Sequence, residues 1–217
     1  MNERARPKQD TAGDAARPRG RPKRAPEDAE ARQRLLRTGL IFLTQKGYSA
    51  VGLDEILREA SVPKGGFYHY FQSKADFGSA LIDAYHAYFV DKLDRCFSEE
   101  SLSPLQRLRA FVADARMGME RHGFTRGCLV GNLGQEMGAL PQDYRAKLID
   151  ALEDWQKRTT ACLESAQADG EIGPHHDPAH LAAIFWIGWE GAVLRAKLEQ
   201  RPEPLTIFAD GFFAMLN

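Results

Sequence analysis

Residues suited to contact a nucleic acid are concentrated between positions 47 and 77. Five of them are candidate contacts: Lys64, Gly66, Tyr68, His69 and Lys74. Phe67 and Phe71 are four residues apart, so on a helix they share one face, which we expect to point inward. The polar residues beside them then point outward, toward phosphate oxygens or base edges. Lys74 follows Ser73 at a predicted helix start, where the helix dipole favours an anion.

Two short helices are needed to position this polar face. The apolar spacing of Leu53, Ile56 and Leu57 predicts the first of them. The segment 60–62 separates it from a second helix that begins near Pro63 and carries Phe67 and the polar residues. Two short helices with this connection predict a helix-turn-helix, whose second helix enters the major groove of DNA.

The same stretch resembles the DNA-binding domain of the TetR family of repressors. The matching run covers about fifty residues, from Ala29 to Leu81, and its specific part is Tyr68-His69-Tyr70-Phe71-x-Ser73-Lys74. The resemblance implies that Tyr68 and Lys74 contact phosphates, while Lys64 and His69 lie near bases. It also implies that the remaining chain binds a ligand and dimerises, so that the partners are an operator DNA, a small-molecule inducer and a second copy of the chain.

Two positions depart from the family pattern. Val51-Gly52 stands where the family usually has a Thr or Ser that caps the second helix and touches a phosphate. Gly66 stands where a hydroxyl residue is common on the recognition helix. Glycine is an acceptable helix cap, although it offers no side-chain contact. We therefore expect fewer side-chain contacts to DNA than is usual in the family.

The first 26 residues form a basic segment without apolar periodicity. They contain eight Arg or Lys against three acidic residues, whereas the whole chain has a net charge of -1. This composition predicts a disordered arm with a polyanion partner. Its core, residues 17–24, resembles an AT-hook in which Arg19 and Arg21 enter a narrow minor groove. The alternative is a tail that only raises non-specific affinity for DNA.

The rest of the chain shows helical spacing of apolar residues and no convincing strand pattern. Ser73, Ser103-Pro104 and Asp177-Pro178 are start signals of long helices. We predict an all-α fold of roughly nine helices. Its expected parts are the arm 1–26, a three-helix helix-turn-helix domain 27–76, and a helical ligand-binding and dimerisation domain 77–217.

A glycine-rich segment from Arg126 to Glu136 indicates an irregular, partly polar interior. It resembles a segment in a TetR subgroup linked to electrophiles and unsaturated carboxylates, including acrylate-responsive repressors. Asn132 is a candidate ligand residue there. Cys128 is a candidate electrophile sensor if Arg126 or a helix N-terminus favours its thiolate. The alternative is that Cys128 is a buried small apolar residue, the usual situation of a free cysteine.

Three further side chains are candidates for the ligand pocket. Trp155 and Trp189 are aromatics at helical spacing, which either line a cavity or belong to the core. Arg116 flanks the apolar face of the fifth helix and either pairs with a carboxylate ligand or points to water. For dimerisation we expect the last two helices to pair, through a face where bulky Phe185 and Trp189 alternate with small Gly188, Gly191, Ala192 and Ala196.

The sequence argues against several other classes of protein. Its three cysteines are an odd number without paired spacing, which argues against a disulfide framework and fits a cytoplasmic protein. The longest apolar run, 181–189, is too short to cross a bilayer. No catalytic, cofactor or metal motif is found, and Asp177-Pro178 accounts for most of the nearby histidines. The remaining alternatives are an architectural DNA-binding protein without a ligand and an α-helical enzyme.

Overall fold

The structure of the protein is a computed structural model that describes residues 30–216. This part of the chain contains no β-strand, and its helices are α1 (Glu30–Lys46), α2 (Leu53–Glu59), α3 (Lys64–Phe67), α4 (Lys74–Phe97), α5 (Pro104–Glu120), α6 (Leu129–Gln135), α7 (Asp143–Ala168), α8 (Pro178–Glu199) and α9 (Glu203–Ala214). The predicted all-α fold is confirmed. The basic arm 1–26, with Arg19 and Arg21, lies outside the described residues.

Two of the three expected start signals, Ser73 and Asp177, cap their helices with a side-chain oxygen. The Ser73 Oγ accepts a hydrogen bond from the Asp76 N–H at 3.0 Å at the start of α4. The Asp177 Oδ1 accepts from the N–H groups of Ala179 at 2.9 Å and His180 at 3.2 Å at the start of α8. Asp177 is therefore a helix cap, and no cluster within 30–216 brings three or more His, Cys, Asp or Glu side chains into position for a metal ion.

Helices α1 to α3, here called the head, are held together by aromatic packing. Phe67 is completely buried, and its ring centroid lies 5.4 Å from that of Phe71 and 5.5 Å from that of Phe77 in α4. A helix of four residues cannot be stable by itself, so α3 depends on these contacts for its position. The start of α4 therefore belongs to the packing of the head, while its remainder packs in the body formed by α4 to α9.

The predicted dimerisation face of α8 is wrong for most of its residues, and of the predicted set only Gly191 is exposed. Phe185, Trp189, Ala192 and Ala196 are buried inside one chain. At Gly188 the missing Cβ makes room for the Phe208 ring of α9. The small residues thus permit α8 and α9 of the same chain to approach each other closely.

The opposite face of α8 and α9 carries the exposed apolar side chains. Ile187 is 79%, Leu198 80% and Ile207 72% exposed. Helix α8 is apolar on nearly every side, so periodicity could not distinguish its inner face from its outer one. No helix of the described chain has both the length and the apolar character needed to span a membrane.

Candidate functional site

The outward face of the head carries the polar residues expected there. Lys64 and Tyr68 have side chains that are 63% and 53% exposed, and His69 is exposed as well. The Lys64 Nζ lies 3.8 Å from the Asp54 carboxylate, a solvent-exposed pair that costs little to separate. Gly66 is half-buried, and a Cβ there would lie 3.2 Å from the Val62 Cγ1. A larger residue at this position would therefore press on the turn before α3.

The Lys74 ammonium uses part of its hydrogen-bonding capacity on backbone groups of the head. Its Nζ donates hydrogen bonds to the carbonyl oxygens of Val51 at 2.6 Å and Tyr48 at 3.0 Å, and it lies 4.3 Å from the centroid of the Tyr48 ring. Burial lowers the pKa of this ammonium, while Glu136 acts in the opposite direction. Two of its three N–H donors thus stabilise the segment between α1 and α2, and one remains for another acceptor.

A cavity of about 440 Å³ lies between the head and the body. Its walls come from α1, α4, the end of α5, the segment 121–128 before α6, and α8. Its apolar lining includes Leu40, Ile41, Tyr85, Phe89, Met119, Trp189 and Val193. This volume accommodates a small organic molecule. Because α1 belongs to the head, a molecule bound in this cavity touches both parts of the protein.

Basic groups dominate the polar lining of the cavity. They are Arg37, Lys92, Arg121 and Arg126. Lys92 is buried and pairs with Asp114 at 2.8 Å. The Nε of Arg126 is buried and has no hydrogen-bond acceptor within the described residues, while its Nη1 lies 3.4 Å from the His122 Nε2. A buried donor without an acceptor is costly, so this guanidinium is suited to receive an anion.

Three titratable side chains lie together in the cavity wall: Cys128, Tyr85 and Glu190. Burial raises the pKa of the Cys128 thiol well above its usual value, and the nearby Glu190 carboxylate raises it further. Burial also raises the pKa of the Tyr85 hydroxyl. Burial raises the pKa of Glu190 to about 7, although Cys128 acts to lower it. The environment of Cys128 therefore disfavours the thiolate, contrary to the expectation that Arg126 or the start of α6 would favour it.

The structure brings only two of the five predicted pocket residues to the cavity, Cys128 and Trp189. Trp155 is completely buried, and its Nε1 donates to the His86 Nδ1 at 3.1 Å. Arg116 lines a separate groove between α5 and α9 and lies 4.0 Å from Glu120. Ala115, Gly118 and Met119 are the α5 residues that face the cavity, and Arg116 points about 100° away from Ala115.

Asn132 makes contact with the head rather than the large cavity. Its Nδ2 donates to the carbonyl oxygens of Leu43 and Thr44, each at 3.0 Å. The Gly127 N–H also donates to the Thr44 carbonyl at 3.0 Å. These carbonyls lie in the last turn of α1, where intrahelical donors run out. Asn132 thus caps α1 from the body.

Glu136 makes a second link between body and head. Its Oε1 accepts from the Tyr48 N–H at 2.9 Å and its Oε2 from the Ser49 N–H at 2.7 Å. Gly47 has φ +84°, and a Cβ at this position would collide with the Glu136 carboxylate. Partial burial acts to raise the pKa of Glu136, but the hydrogen bonds from Ser49 and Tyr48 outweigh it and lower the pKa. The sequence analysis placed Asn132 and Glu136 in a partly polar segment, but it did not predict their hydrogen bonds to the head.

Sequence reasoning also gave no ligand role to Arg37, Arg126 or Glu190. Arg37 and Glu190 are far apart in the chain, so no local spacing connects them. Glu190 had one usable signal, because it directly follows the longest apolar run, 181–189, and stands within the apolar helix α8. An acid within such a helix is unusual unless it has a partner or a function.

Comparison with known proteins matches both parts of the chain. Residues 35–81 match the family model described as "Bacterial regulatory proteins, tetR family", and residues 104–212 match "Tetracyclin repressor-like, C-terminal domain". The transcriptional regulator AcuR of Cereibacter sphaeroides is 62% identical over 89% of each chain. The HTH-type transcriptional repressor DhaR of a Mycobacterium species is 31% identical over 85% of this chain and 91% of its own.

The fold agrees with these matches. The crystal structure of a regulatory protein TetR from Rhodobacter sphaeroides superimposes with a TM-score of 0.85 at 62% identity, over 86% of this chain and 98% of that chain. These relatives are regulators of transcription and not enzymes. With a helix-turn-helix head, a matching helical body and relatives similar over most of its length, the chain belongs to the TetR family of bacterial transcriptional regulators.

Proposed function

We propose that the protein is a repressor that binds a palindromic operator as a homodimer and is released by a small carboxylic acid, such as acrylate or a related unsaturated acid. The observation that carries this proposal is the cavity, whose wall includes α1 of the head. An occupant that prefers one position of α1 changes the affinity for DNA, because a ligand shifts an equilibrium by its differential binding to two states. A tenfold loss of DNA affinity requires about 1.4 kcal/mol of such coupling.

The chemistry of the cavity supports an anionic inducer. Arg126 has the buried Nε without an acceptor, and Arg37 and Arg121 add positive charge to the lining. Arg126 thus takes the role expected of Arg116. The apolar walls suit a short hydrocarbon chain, and 62% identity to the regulator AcuR favours a similar ligand. An architectural DNA-binding protein without a ligand would not need this cavity.

The dimer is expected to form through the outer face of α8 and α9, which carries the exposed side chains of Ile187, Leu194, Leu198 and Ile207. Two pairs of helices would then meet as a four-helix interface. Half-sites on one side of the duplex need two heads about 34–36 Å apart. The arm residues Arg19 and Arg21 would add minor-groove contacts beside the operator.

The division of labour on the head can be tested with three alanine variants. Lys64→Ala and His69→Ala should change the preference among operator variants, because these exposed side chains lie on α3 and at its end. Lys74→Ala should weaken binding to all sites alike and reduce the salt slope by about one, through loss of its third donor to a phosphate. Fluorescence anisotropy over a range of salt concentrations measures both effects. An unchanged salt slope with a lowered melting temperature would show that Lys74 only stabilises the segment 48–51.

The role of Cys128 can be tested by comparing Cys128→Ser with the natural protein. The raised thiol pKa disfavours addition of sulfur to an alkene, so we expect acrylate to release operator DNA from both proteins with similar potency. Propionate, which has no alkene, serves as the control for covalent chemistry. If Cys128→Ser loses the response to acrylate but keeps the response to propionate, covalent sensing is established. If neither acid at millimolar concentration releases the natural protein from its own upstream DNA, the proposed class of inducer is wrong.

A further inference from the structure

Glu190 is the one carboxylate in the lining of the cavity within the described chain. It stands on α8, next to Trp189 and within reach of the Cys128 thiol. No ion pair joins it to a basic side chain in residues 30–216. At Gly131 a Cβ would collide with its carboxylate, so the start of α6 closes over this acid. The acid thus faces a ligand without a cation of its own.

An acid in this position conflicts with the proposed ligand. The cavity offers Arg126 to one carboxylate, and Glu190 would be a second carboxylate in the same partly enclosed space. Two carboxylates that share one site do not both stay ionised, because their repulsion in a medium of low dielectric constant raises the pKa of one of them. A protonated carboxyl group, in contrast, has an O–H that donates a hydrogen bond.

Building on the function proposed above, we propose that Glu190 takes up a proton when a carboxylate enters the cavity, so that the cavity recognises a small monocarboxylate together with one proton. Arg126 balances the negative charge of the ligand. The protonated Glu190 carboxyl group donates a hydrogen bond either to the ligand or to Cys128. No bond other than the O–H of Glu190 is formed, and the proton comes from solvent. Glu190 is then neutral, and the charge added to the cavity is that of the ligand carboxylate, which Arg126 balances.

The other groups that face Glu190 keep their charge state around neutral pH. Burial holds the thiol of Cys128 and the hydroxyl of Tyr85 in their neutral forms. Burial and two neighbouring arginines lower the pKa of His122, so it is neutral above pH 7. The remaining charged groups in the lining of this cavity and of the small pocket beside it are cations: Arg37 of α1, Lys92 of α4, Arg121 and Arg126 after α5, and Lys197 of α8. Lys92 is balanced by Asp114.

The sign of the pH dependence follows from the pKa of about 7 for Glu190 in the free protein. Below that pH Glu190 already carries its proton, and the affinity for a carboxylate does not change with pH. Above it the proton must be taken up on binding, so the affinity falls by about tenfold per pH unit. Between pH 6.5 and 8.5 we expect a loss of about 25-fold for an acid. A neutral analogue binds without this dependence.

The test is isothermal titration calorimetry of the full chain with acrylate, propionate and the neutral acrylamide between pH 6.5 and 8.5. Two buffers of different ionisation enthalpy give the number of protons taken up. We expect close to one proton per site at pH 8 for both acids and none for acrylamide. Glu190→Gln, which is neutral and of similar shape, should remove the pH dependence for the acids. Glu199→Gln, on the same helix, should keep it.

The outcomes separate this inference from the proposed function. Binding of acrylate or propionate with the same affinity at all pH values and without proton uptake overturns the role of Glu190, and the repressor remains acid-responsive. A pH dependence that persists in Glu190→Gln overturns it as well. Absence of binding by either acid to the natural protein overturns the proposed inducer, and the inference with it. If Glu190→Gln does not fold, the proton count of the natural protein decides.

Discussion

The double substitution Ile187→Glu with Leu198→Glu is expected to yield a folded monomer that binds its operator at least about 100-fold more weakly, since linking two heads contributes about 10²–10⁴ in affinity. Both side chains are about four-fifths exposed and lie on the outer face of α8. Leu194 lies between them on the same face, and Gly191 has open space in place of a side chain. In a symmetric dimer the two substitutions place four carboxylates in one apolar interface, where unpaired charges are costly.

A matched control carries the same two charges away from this face. Ile149 on α7 and Met117 on α5 are also exposed apolar side chains, so Ile149→Glu with Met117→Glu should leave the dimer and its operator affinity unchanged. Analytical ultracentrifugation gives the oligomeric state, and anisotropy gives the DNA affinity. A dimer that survives Ile187→Glu with Leu198→Glu at micromolar concentration would place the interface elsewhere.

The sequence was informative where a local pattern determines the structure. Phe67 and Phe71 are four apart, and this spacing alone predicts that Tyr68 and His69 point outward, as observed. Ser73 and Asp177 mark helix starts because their side-chain oxygens accept hydrogen bonds from N–H groups only two or three residues along the chain. Such features depend on neighbours in the sequence, so one chain without relatives is sufficient to find them.

The inner and outer faces of α8 could not be distinguished in this way. Small residues predict a close approach of helices, but they do not say which helix approaches. Gly188 and Ala192 face the interior of their own chain, whereas Ile187 and Leu198 lie on the outer face. On a helix that is apolar around most of its circumference, both faces fit burial equally well.

The cavity depends on contacts between distant segments and had no local signature. Trp155 and Trp189 are both aromatics at helical spacing, so the sequence does not distinguish them, yet only Trp189 lines the cavity. Arg116 and Arg126 are two cations ten residues apart, and only the course of the chain after α5 turns Arg126 inward. The link of Asn132 and Glu136 to α1 spans more than 80 residues, and no spacing rule covers such a distance.

This link is a second path from the cavity to the head, beside the direct contact of a bound molecule with α1. Cys128 and Gly127 line the cavity, and Thr44 lines it from the side of α1. Gly127 and Asn132 both donate to the Thr44 carbonyl, while Glu136 holds the N–H groups of Tyr48 and Ser49 at the other end of α6. A ligand that displaces the start of α6 therefore moves the end of α1, and with it the head.

The double substitution Asn132→Ala with Glu136→Gln is expected to uncouple the ligand from DNA. The new glutamine would present an amide N–H₂ to one of two backbone N–H donors, and the new alanine would remove the side-chain donor that two α1 carbonyls share. The four hydrogen bonds that Asn132 and Glu136 make to the head are then lost or weakened. Hydrogen bonds to a charged group contribute about 1.5–3 kcal/mol, comparable to typical allosteric couplings of about 1–3 kcal/mol. Saturating acid should then change operator affinity less than about threefold, against about tenfold or more in the natural protein.

The experiment measures ligand affinity and operator affinity separately, because the variant should still bind the acid with unchanged affinity through Arg126. Gln135→Ala, an exposed position on the same helix, is the matched control and should respond like the natural protein. Calorimetry gives the first quantity, and anisotropy with and without acid gives the second. If the double variant binds the acid and still releases DNA as the natural protein does, the coupling passes through α1 or α4, which line the cavity directly. Loss of acid binding would instead show that α6 shapes the cavity, since coupling free energy is reciprocal and its removal cannot abolish binding at the other site.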